Sequence, residues 1–299
     1  MADPNIKEQF TQIMEKFMQL TCTQLPDDVY GRLVEMRNKE DTPIQKVLYD
    51  SYFENLDRAA KLGRPCCQDT GLLHFYIKVG TAFPYLDMVE DALADAVRRA
   101  TISVPLRQNV VNYFEELNTN DNTGERIPWI NWDLVPGGDE VEIITYFAGG
   151  GCCLPGRSQV FKPSDGYAAI IRYVFDAVSG LGINACPPLI VGVGLGHNVE
   201  NAAMLSKKAY LRPLDVHHHH PKGAELERQM LEGLNKLGIG AQGIRGKQVA
   251  MAVNIESSGR HTATIACAVN TACYAHRRGI IRFHKDMSYE MPTYKGVAI

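Results

Sequence analysis

Three short segments carry thiols in settings that could do chemistry. They are Arg64-Pro-Cys-Cys-Gln-Asp-Thr-Gly71, Asn184-Ala-Cys-Pro-Pro188 and Asn270-Thr-Ala-Cys-Tyr-Ala-His-Arg-Arg-Gly279. Each surrounds its cysteine with Pro, Gly, Asn or Asp, which favour turns where the backbone can approach a ligand closely. None contains a C-x-x-C pair, so a local zinc knuckle is excluded. The thiols either meet through folding at one metal centre or pack separately in the core, as reduced cysteine often does.

The composition restricts the class of protein. The chain has 299 residues, 45% hydrophobic and 22% charged, as in an ordinary globular protein. A net charge of -3 provides no basic surface for a nucleic acid, so we expect none as a partner. Eight cysteines are too few for a small disulfide-stapled scaffold. The polar, acidic N-terminus lacks the pattern of a signal peptide, which predicts a cytoplasmic protein with reduced thiols.

We also expect no membrane association. The longest uncharged stretch, residues 177–199, contains Pro187-Pro188, two asparagines and several glycines. These residues are unsuited to a helix in a bilayer, so the stretch is predicted to be a buried segment.

Helices are predicted over the N-terminal part of the chain, where they would position the first cysteine segment. They begin at Asp3-Pro4, Pro26-Asp27-Asp28 and Thr42-Pro43, and the third ends at Gly63. Apolar side chains at helical spacing predict core-facing stripes. The stripe residues are Ile6, Phe10, Ile13, Met14, Phe17, Val29, Leu33, Met36, Val47, Tyr49, Phe53 and Leu56.

Beyond Gly63 the pattern alternates between strands and helices. Strands are predicted at 73–79, 140–148, 189–193, 248–256, 264–269 and 279–283, and helices at 85–100, 167–178, 199–209 and 223–237. The 189–193 strand is almost wholly apolar, which predicts burial on both faces. This mixture of helices and strands predicts an α+β fold, and no linker or repeat marks a domain boundary. It would be a single domain over residues 1–299, with helices around a modest, largely antiparallel or mixed sheet.

Two glycine clusters follow predicted strands. Ala148-Gly-Gly-Gly151 would expose successive backbone N–H groups, a concave site for a carboxylate that Gly150 and Gly151 would form. Turns are the alternative for such a cluster. Gly192-Val-Gly-Leu-Gly196 lacks the third glycine of a dinucleotide-binding motif, so we expect it to allow close helix packing instead.

In combination, these segments resemble the cluster-binding motifs of the iron-sulfur class I fumarase and tartrate dehydratase family. The resemblance covers nearly the whole chain and extends to Glu116-Leu-Asn-Thr119, Asn122-Thr-Gly124, Leu237-Gly-Ile-Gly-Ala-Gln242 and Ile255-Glu-Ser257. Within the family, the chain is similar to the alpha subunits of two-subunit tartrate dehydratases, which correspond to the first half of a single-chain fumarase. The resemblance implies the fold of a class I fumarase N-terminal domain.

The resemblance also implies a 4Fe-4S cluster held by Cys67, Cys186 and Cys273. Three protein thiolates leave one iron open, and an open iron can act as a Lewis acid on a substrate hydroxyl and carboxylate. The family motif places its ligand immediately before Gln-Asp-Thr-Gly, so Cys66 is expected to pack. Cys22 and Cys267 lack loop settings and are also assigned to packing.

Roles for further residues follow from the same resemblance. Gln68 would contact the substrate and Asp69 would carry a proton, although Asp69 could instead cap the loop at Thr70 and Gly71. Arg107 would hold a carboxylate, with a surface salt bridge as the alternative. Arg157 follows a glycine loop of the tartrate dehydratase type and would bind a carboxylate or support the site.

The remaining assignments concern histidine and the last arginines. Of the four histidines 217–220, His218 aligns with the histidine of the family, which would bind the substrate or transfer a proton. Arg277 and Arg278 follow the third ligand and would stabilise the negatively charged cluster, with one of them facing solvent.

These expectations predict an oxygen-sensitive hydro-lyase that dehydrates L(+)-tartrate to oxaloacetate. A beta subunit would complete the site in an alpha2-beta2 heterotetramer, and the substrate would be a small dicarboxylate. One alternative is the alpha subunit of a two-subunit fumarase that acts on malate and fumarate. Another is a non-catalytic metal-binding structural protein, and a nicotinamide dehydrogenase is disfavoured by the incomplete glycine motif.

Overall fold

The computed structural model describes residues 4–299 and separates into two compact units. Unit 1 comprises residues 4–27, 54–149 and 277–299, and unit 2 comprises residues 28–53 and 150–276. Each unit has a sheet of its own, where the sequence suggests a single sheet. The α+β class is confirmed, and the single domain over residues 1–299 stays a prediction.

The helices and strands are numbered in chain order. The helices are α1 (Pro4–Thr23), α2 (Asp27–Lys39), α3 (Pro43–Leu62), α4 (Val89–Ser103), α5 (Gly150–Cys153), α6 (Gly166–Leu181), α7 (Val199–Leu211) and α8 (Pro221–Asn235). The strands are β1 (Leu72–Gly80), β2 (Trp129–Val135), β3 (Val141–Ala148), β4 (Arg157–Phe161), β5 (Leu189–Gly196), β6 (Ala250–Ser257), β7 (Ile265–Ala272), β8 (Arg278–Phe283) and β9 (Tyr289–Glu290). The predicted capping residue Asp3 lies outside the described residues.

Unit 1 is built on a mixed five-stranded sheet in the order β2-β1-β3-β8-β9. β1 runs parallel to β2, and the other neighbouring strands are antiparallel. The apolar stripe of α1 lies in its core, where Phe10, Met14 and Phe17 are fully buried together with Phe75 of β1. The predicted stripe of the first helix is therefore confirmed at these positions.

Unit 2 is built on a four-stranded sheet in the order β4-β7-β5-β6, with β5 parallel to β6. β5 is buried along nearly its whole length, as predicted. A Cβ atom at Gly192 or Gly194 would collide with backbone atoms of α7, at Ser206 and Ala202 respectively. The prediction that these glycines allow close helix packing is thus confirmed.

The strands that the sequence pattern misses all lie at the edges of the two sheets. β2, β4 and β9 are edge strands, and β2 is mostly exposed, so none shows a clear pattern of buried residues. One predicted stripe position is wrong, because Val47 of α3 is 61% exposed. Within residues 4–299, no helix has the length and apolar character needed to cross a membrane.

Candidate active site

The first cysteine segment forms a loop between α3 and β1 in unit 1. Cys66 is buried, its N–H donates to the carbonyl of Cys22 at 3.0 Å, and its carbonyl accepts from Asn55 Nδ2 at 2.8 Å. Cys66 is therefore packed in unit 1 as expected, and its assignment as a non-ligand stays a prediction. Cys67 is half-buried at the next position, so the two neighbouring thiols have different environments.

Asp69 is held by two hydrogen bonds in the same loop. Its Oδ1 accepts from the N–H of Gly71 at 3.0 Å and from Asn109 Nδ2 at 3.2 Å. Gly71 has a φ of 78°, and a Cβ there would lie 2.6 Å from the carbonyl of Ala148, so only glycine fits. The alternative loop-capping role of Asp69 is therefore present in the structure, beside the exposed Gln68. Proton transfer by Asp69 stays a prediction.

Arg107 is anchored beside this loop through its backbone. Its N–H donates to Thr70 Oγ1 at 3.0 Å, and its carbonyl accepts from Asn122 Nδ2 at 3.0 Å. The side chain is exposed and forms no ion pair with any residue in the range 4–299. The fixed backbone and the exposed guanidinium are compatible with carboxylate binding, which stays a prediction.

Arg277 and Arg278 are both buried, with 1% and 2% of their surface exposed. The prediction that one faces solvent is wrong, since Arg277 lies against the buried Phe147 and the buried Tyr294 donates its hydroxyl to the carbonyl of Arg278. The Arg277 guanidinium lies 5.8 Å from the ring centroid of Phe147. Burial raises the pKa of the Cys22 thiol to about 12, and the charge of Arg277 partly opposes that rise. The two cations thus lie in the part of unit 1 that contains Cys22 and Cys66.

The triple glycine begins a short helix in unit 2. Gly150 and Gly151 open α5, a single helical turn, and the first N–H groups of a helix are not used within the helix itself. A Cβ at Gly151 would lie 2.8 Å from the carbonyl of Asn184, and the carbonyl of Cys152 accepts from Thr271 Oγ1 at 2.8 Å. The glycine loop is therefore packed against the segments that carry the second and third cysteines. Substrate binding by Gly150 and Gly151 stays a prediction.

Cys186 and Cys273 lie on neighbouring loops of unit 2. The N–H of Tyr274 donates to the carbonyl of Cys186 at 3.4 Å, which joins the two segments. Burial raises the pKa of Tyr52, and the charges of Cys186 and Cys273 raise it further. Tyr52 also donates to the carbonyl of Pro187, after Cys186, and stacks on Tyr274, after Cys273. The structure brings these two predicted ligands together.

Arg157, on the edge strand β4, contacts α6. Its Nη2 donates to the backbone carbonyl of Tyr173 at 2.9 Å, and its guanidinium lies 4.7 Å from the centroid of the Tyr173 ring. These contacts attach α6 to the sheet of unit 2. Carboxylate binding by Arg157 stays a prediction.

His218 is 7% exposed, and both its ring nitrogens have partners. Nδ1 accepts from the N–H of His220 at 3.0 Å, so in the neutral ring the proton is on Nε2, which faces Ser257 Oγ at 3.1 Å. Ser257 pairs with Leu195 near one end of β5, whereas Ala272, next to Cys273, pairs with Ile190 near the other end. Five residues of strand span roughly 16 Å, so the structure does not bring His218 beside Cys186 and Cys273.

The three predicted cluster ligands divide between the units, with Cys67 in unit 1 and the other two in unit 2. In the described part of the chain, no three or more His, Cys, Asp or Glu side chains are arranged to hold a metal ion. The donors themselves are chemically suitable, because three thiolates without a carboxylate are the ligands that iron–sulfur clusters use.

Residues 11–282 match the family model described as fumarate hydratase (Fumerase). The chain belongs to this fumarate hydratase family. It is 49% identical over 280 residues to the L(+)-tartrate dehydratase subunit alpha of Escherichia coli UTI89, covering 94% of this chain and 92% of the relative. The same-named subunits of Escherichia coli K12 and Shigella sonnei are 48% identical over the same shares. Hydratases and dehydratases are hydro-lyases, so this is a hydro-lyase chain.

Unit 2 also contains a buried polar residue that the sequence analysis did not single out. Glu227 is 2% exposed and forms a buried ion pair with Arg212, and its Oε2 accepts from the N–H of His218 at 3.0 Å. One signal was present in the sequence: Glu227 occupies the helical stripe of α8 that otherwise contains Met230 and Leu234. A charged residue in an apolar stripe indicates a buried partner.

Proposed function

We propose that this chain is the cluster-bearing alpha subunit of an L(+)-tartrate dehydratase, which converts L(+)-tartrate to oxaloacetate. The observation that carries the proposal is 48–49% identity, over 94% of the chain, to subunits with that name. The residues that match the family model, 11–282, include the loops that contain Cys67, Cys186 and Cys273.

In this proposal Cys67, Cys186 and Cys273 hold a 4Fe-4S cluster. When bound, the cluster supplies a Lewis acid through the one iron that has no protein ligand. Its donor set is supported by the settings of the thiols, since Cys186 is exposed on a turn and Cys67 is half-buried. The buried Arg277 and Arg278 supply positive charge in unit 1, and Arg277 partly opposes the rise that burial gives the pKa of the Cys22 thiol.

The chain's own polar groups then bind the dicarboxylate and move protons. Asp69 has one carboxylate oxygen fixed by Gly71 and Asn109, which orients the group for proton transfer. The exposed Arg107 guanidinium suits a carboxylate in a bidentate arrangement. Gln68, Gly150, Gly151 and Arg157 are assigned to substrate binding as well. His218 is assigned proton transfer or substrate contact, although it lies at the other end of β5 from Cys186 and Cys273.

A beta subunit completes the enzyme as an alpha2-beta2 heterotetramer in the cytoplasm. The name subunit alpha, printed for the relatives, supports a partner chain. A cytoplasmic location keeps the thiolates reduced and available to the cluster. Because an open iron is accessible to oxygen, we expect the activity to be oxygen-sensitive.

The test is anaerobic co-expression of the chain with a candidate beta subunit, followed by measurement of iron, sulfide and turnover. We expect about four irons per chain, loss of one on exposure to air, and oxaloacetate from L(+)-tartrate. The chain alone should be nearly inactive. Zinc in place of iron would instead support a non-catalytic metal-binding protein.

A two-subunit fumarase is the second candidate, favoured by the match to the fumarate hydratase model. The same preparation separates the two activities when L(+)-tartrate, malate and fumarate are compared at equal concentrations. A strong preference for malate and fumarate would replace tartrate as the substrate.

A further inference from the structure

Tyr52 contacts the backbone that follows Cys186. Its hydroxyl donates to the carbonyl of Pro187 at 3.2 Å and accepts from Gln242 Nε2 at 2.8 Å. The N–H of Gln242 donates to the same carbonyl at 3.0 Å. Two donors from separate segments therefore hold the residue after Cys186 in one place.

The ring of Tyr52 contacts the residue after Cys273. It stacks on Tyr274 with ring centroids 3.9 Å apart and an interplanar angle of 8°. The Tyr52 side chain therefore contacts both cysteine loops, through Pro187 and through Tyr274. The N–H of Tyr274 also donates to the carbonyl of Cys186 and joins the two loops directly. Tyr52 is 6% exposed, so these contacts are made in a largely dry environment.

The Cys186 backbone needs such support. Its φ of 55° is in the left-handed region, which costs a residue with a Cβ free energy and persists only when the surroundings fix it. Gln242 is also left-handed, with a φ of 53°. Gln45 holds its loop, since Gln45 Oε1 accepts from the N–H of Ala241 and Gln45 Nε2 donates to the carbonyl of Ile244. Gln45, Tyr49 and Tyr52 lie on one face of α3.

We propose that Tyr52 is a positioning residue which fixes the Cys186 and Cys273 loops against each other and so prepares both thiolates to bind the cluster. The proposal rests on the proposed function for the identity of the bound group. Tyr52 acts through Pro187 and Tyr274, and it forms no bond to iron. Groups that orient metal ligands in this way typically contribute 10–100-fold to metal affinity.

The test compares Tyr52→Phe, Tyr52→Leu and the control Tyr49→Phe in the full chain, purified and reconstituted without oxygen. Tyr49 is fully buried one turn earlier on α3, and its hydroxyl has no hydrogen-bond partner among the described residues. Cluster loss to a ferrous chelator, followed by visible absorbance, should be about tenfold faster for Tyr52→Phe. It should be about a hundredfold faster for Tyr52→Leu, which also loses the stack, and unchanged for Tyr49→Phe.

A second measurement uses the protein without iron. Cys186 is exposed, and we expect iodoacetamide to alkylate it several-fold faster in Tyr52→Phe than in the original chain or Tyr49→Phe. Equal chelator kinetics together with equal alkylation rates would overturn the proposal. If the original chain binds no cluster, the proposed function fails, and the alkylation rates alone decide whether Tyr52 fixes the loop.

Discussion

The loop of Cys67 and the loops of Cys186 and Cys273 are stabilised over very different distances along the chain. Around Cys67 the fixing bonds span 2 to 44 positions: Asp69 accepts from Gly71 two positions away and from Asn109 40 positions away, and the N–H of Cys66 donates to Cys22 across 44. Around Cys186 they are remote, because Tyr52 reaches Pro187 across 135 positions and Gln242 reaches Tyr52 across 190. The Cys67 loop is thus fixed by nearer segments of unit 1, whereas the other two loops depend on contacts between segments of unit 2 that are much farther apart in sequence.

The difference separates two kinds of sensitivity to substitution. Substitutions around Cys67 should change chemistry or one loop and leave the rest of unit 1 intact. Substitutions at the buried polar contacts of unit 2 should lower the stability of the unit as well, since those groups join segments that are distant in sequence.

The largest effect is expected from Cys67→Ser. Loss of one thiolate should remove the iron and all measurable turnover while leaving the thermal unfolding of the apoprotein nearly unchanged. Cys66→Ala is the control, because the Cys66 side chain packs beside Cys22. The two variants are compared by their iron content and by the rate at which they form oxaloacetate. Iron retained in Cys67→Ser and lost in Cys66→Ala would make Cys66 the ligand.

Asp69→Asn should lower kcat by about 10²–10⁴-fold, the usual contribution of a proton-transferring group. Asparagine retains an oxygen that can accept from Gly71, so the loop and the iron content should be preserved. Turnover and iron content of the anaerobic complex distinguish the two roles of Asp69. Full activity in this variant would leave Asp69 as a loop cap only.

Glu227→Ala should destabilise the protein by about 3–5 kcal/mol, because it removes the buried acceptor of the His218 and Ile255 N–H groups and one of the two carboxylates paired with Arg212. The matched control is Glu225→Ala on the same helix, where the carboxylate forms an exposed pair with Arg228. Denaturant unfolding of the apoprotein measures the difference. Equal denaturation midpoints for the two variants would show that the stability of unit 2 does not depend on the buried Glu227.

The smallest effect is expected from Asn109→Ala, which removes donors to Asp69 and to the carbonyl of Gly71. We expect a loss of about 1–2 kcal/mol, confined to the loop, since each lost hydrogen bond contributes little. Gln108→Ala, at the exposed neighbouring position, should have no effect. Hydrogen exchange at Gly71 reports the loop directly, and protection unchanged in Asn109→Ala would contradict the account of its support.

Much of the fold can be predicted from the sequence because buried residues recur at the spacing that each helix or strand imposes. The stripe of α1, the buried strand β5 and the glycines that face α7 all follow from residue spacing alone. The edge strands β2, β4 and β9 are missed because they have partners on one side only and little buried surface to impose a pattern. The prediction for Val47 is wrong because the buried face of α3 contains Gln45 and Tyr52, whose polar groups are not found by a search for apolar residues.

The sequence by itself determined the helices, the inner strands and the polar cap at Asp69, because these depend on neighbouring residues. Only the tertiary structure decided that Arg277 and Arg278 are both buried, that Tyr52 joins two cysteine loops, and that His218 lies at the other end of β5. Those relations join residues far apart in the chain. They form when strands and helices pack, and no local propensity encodes them.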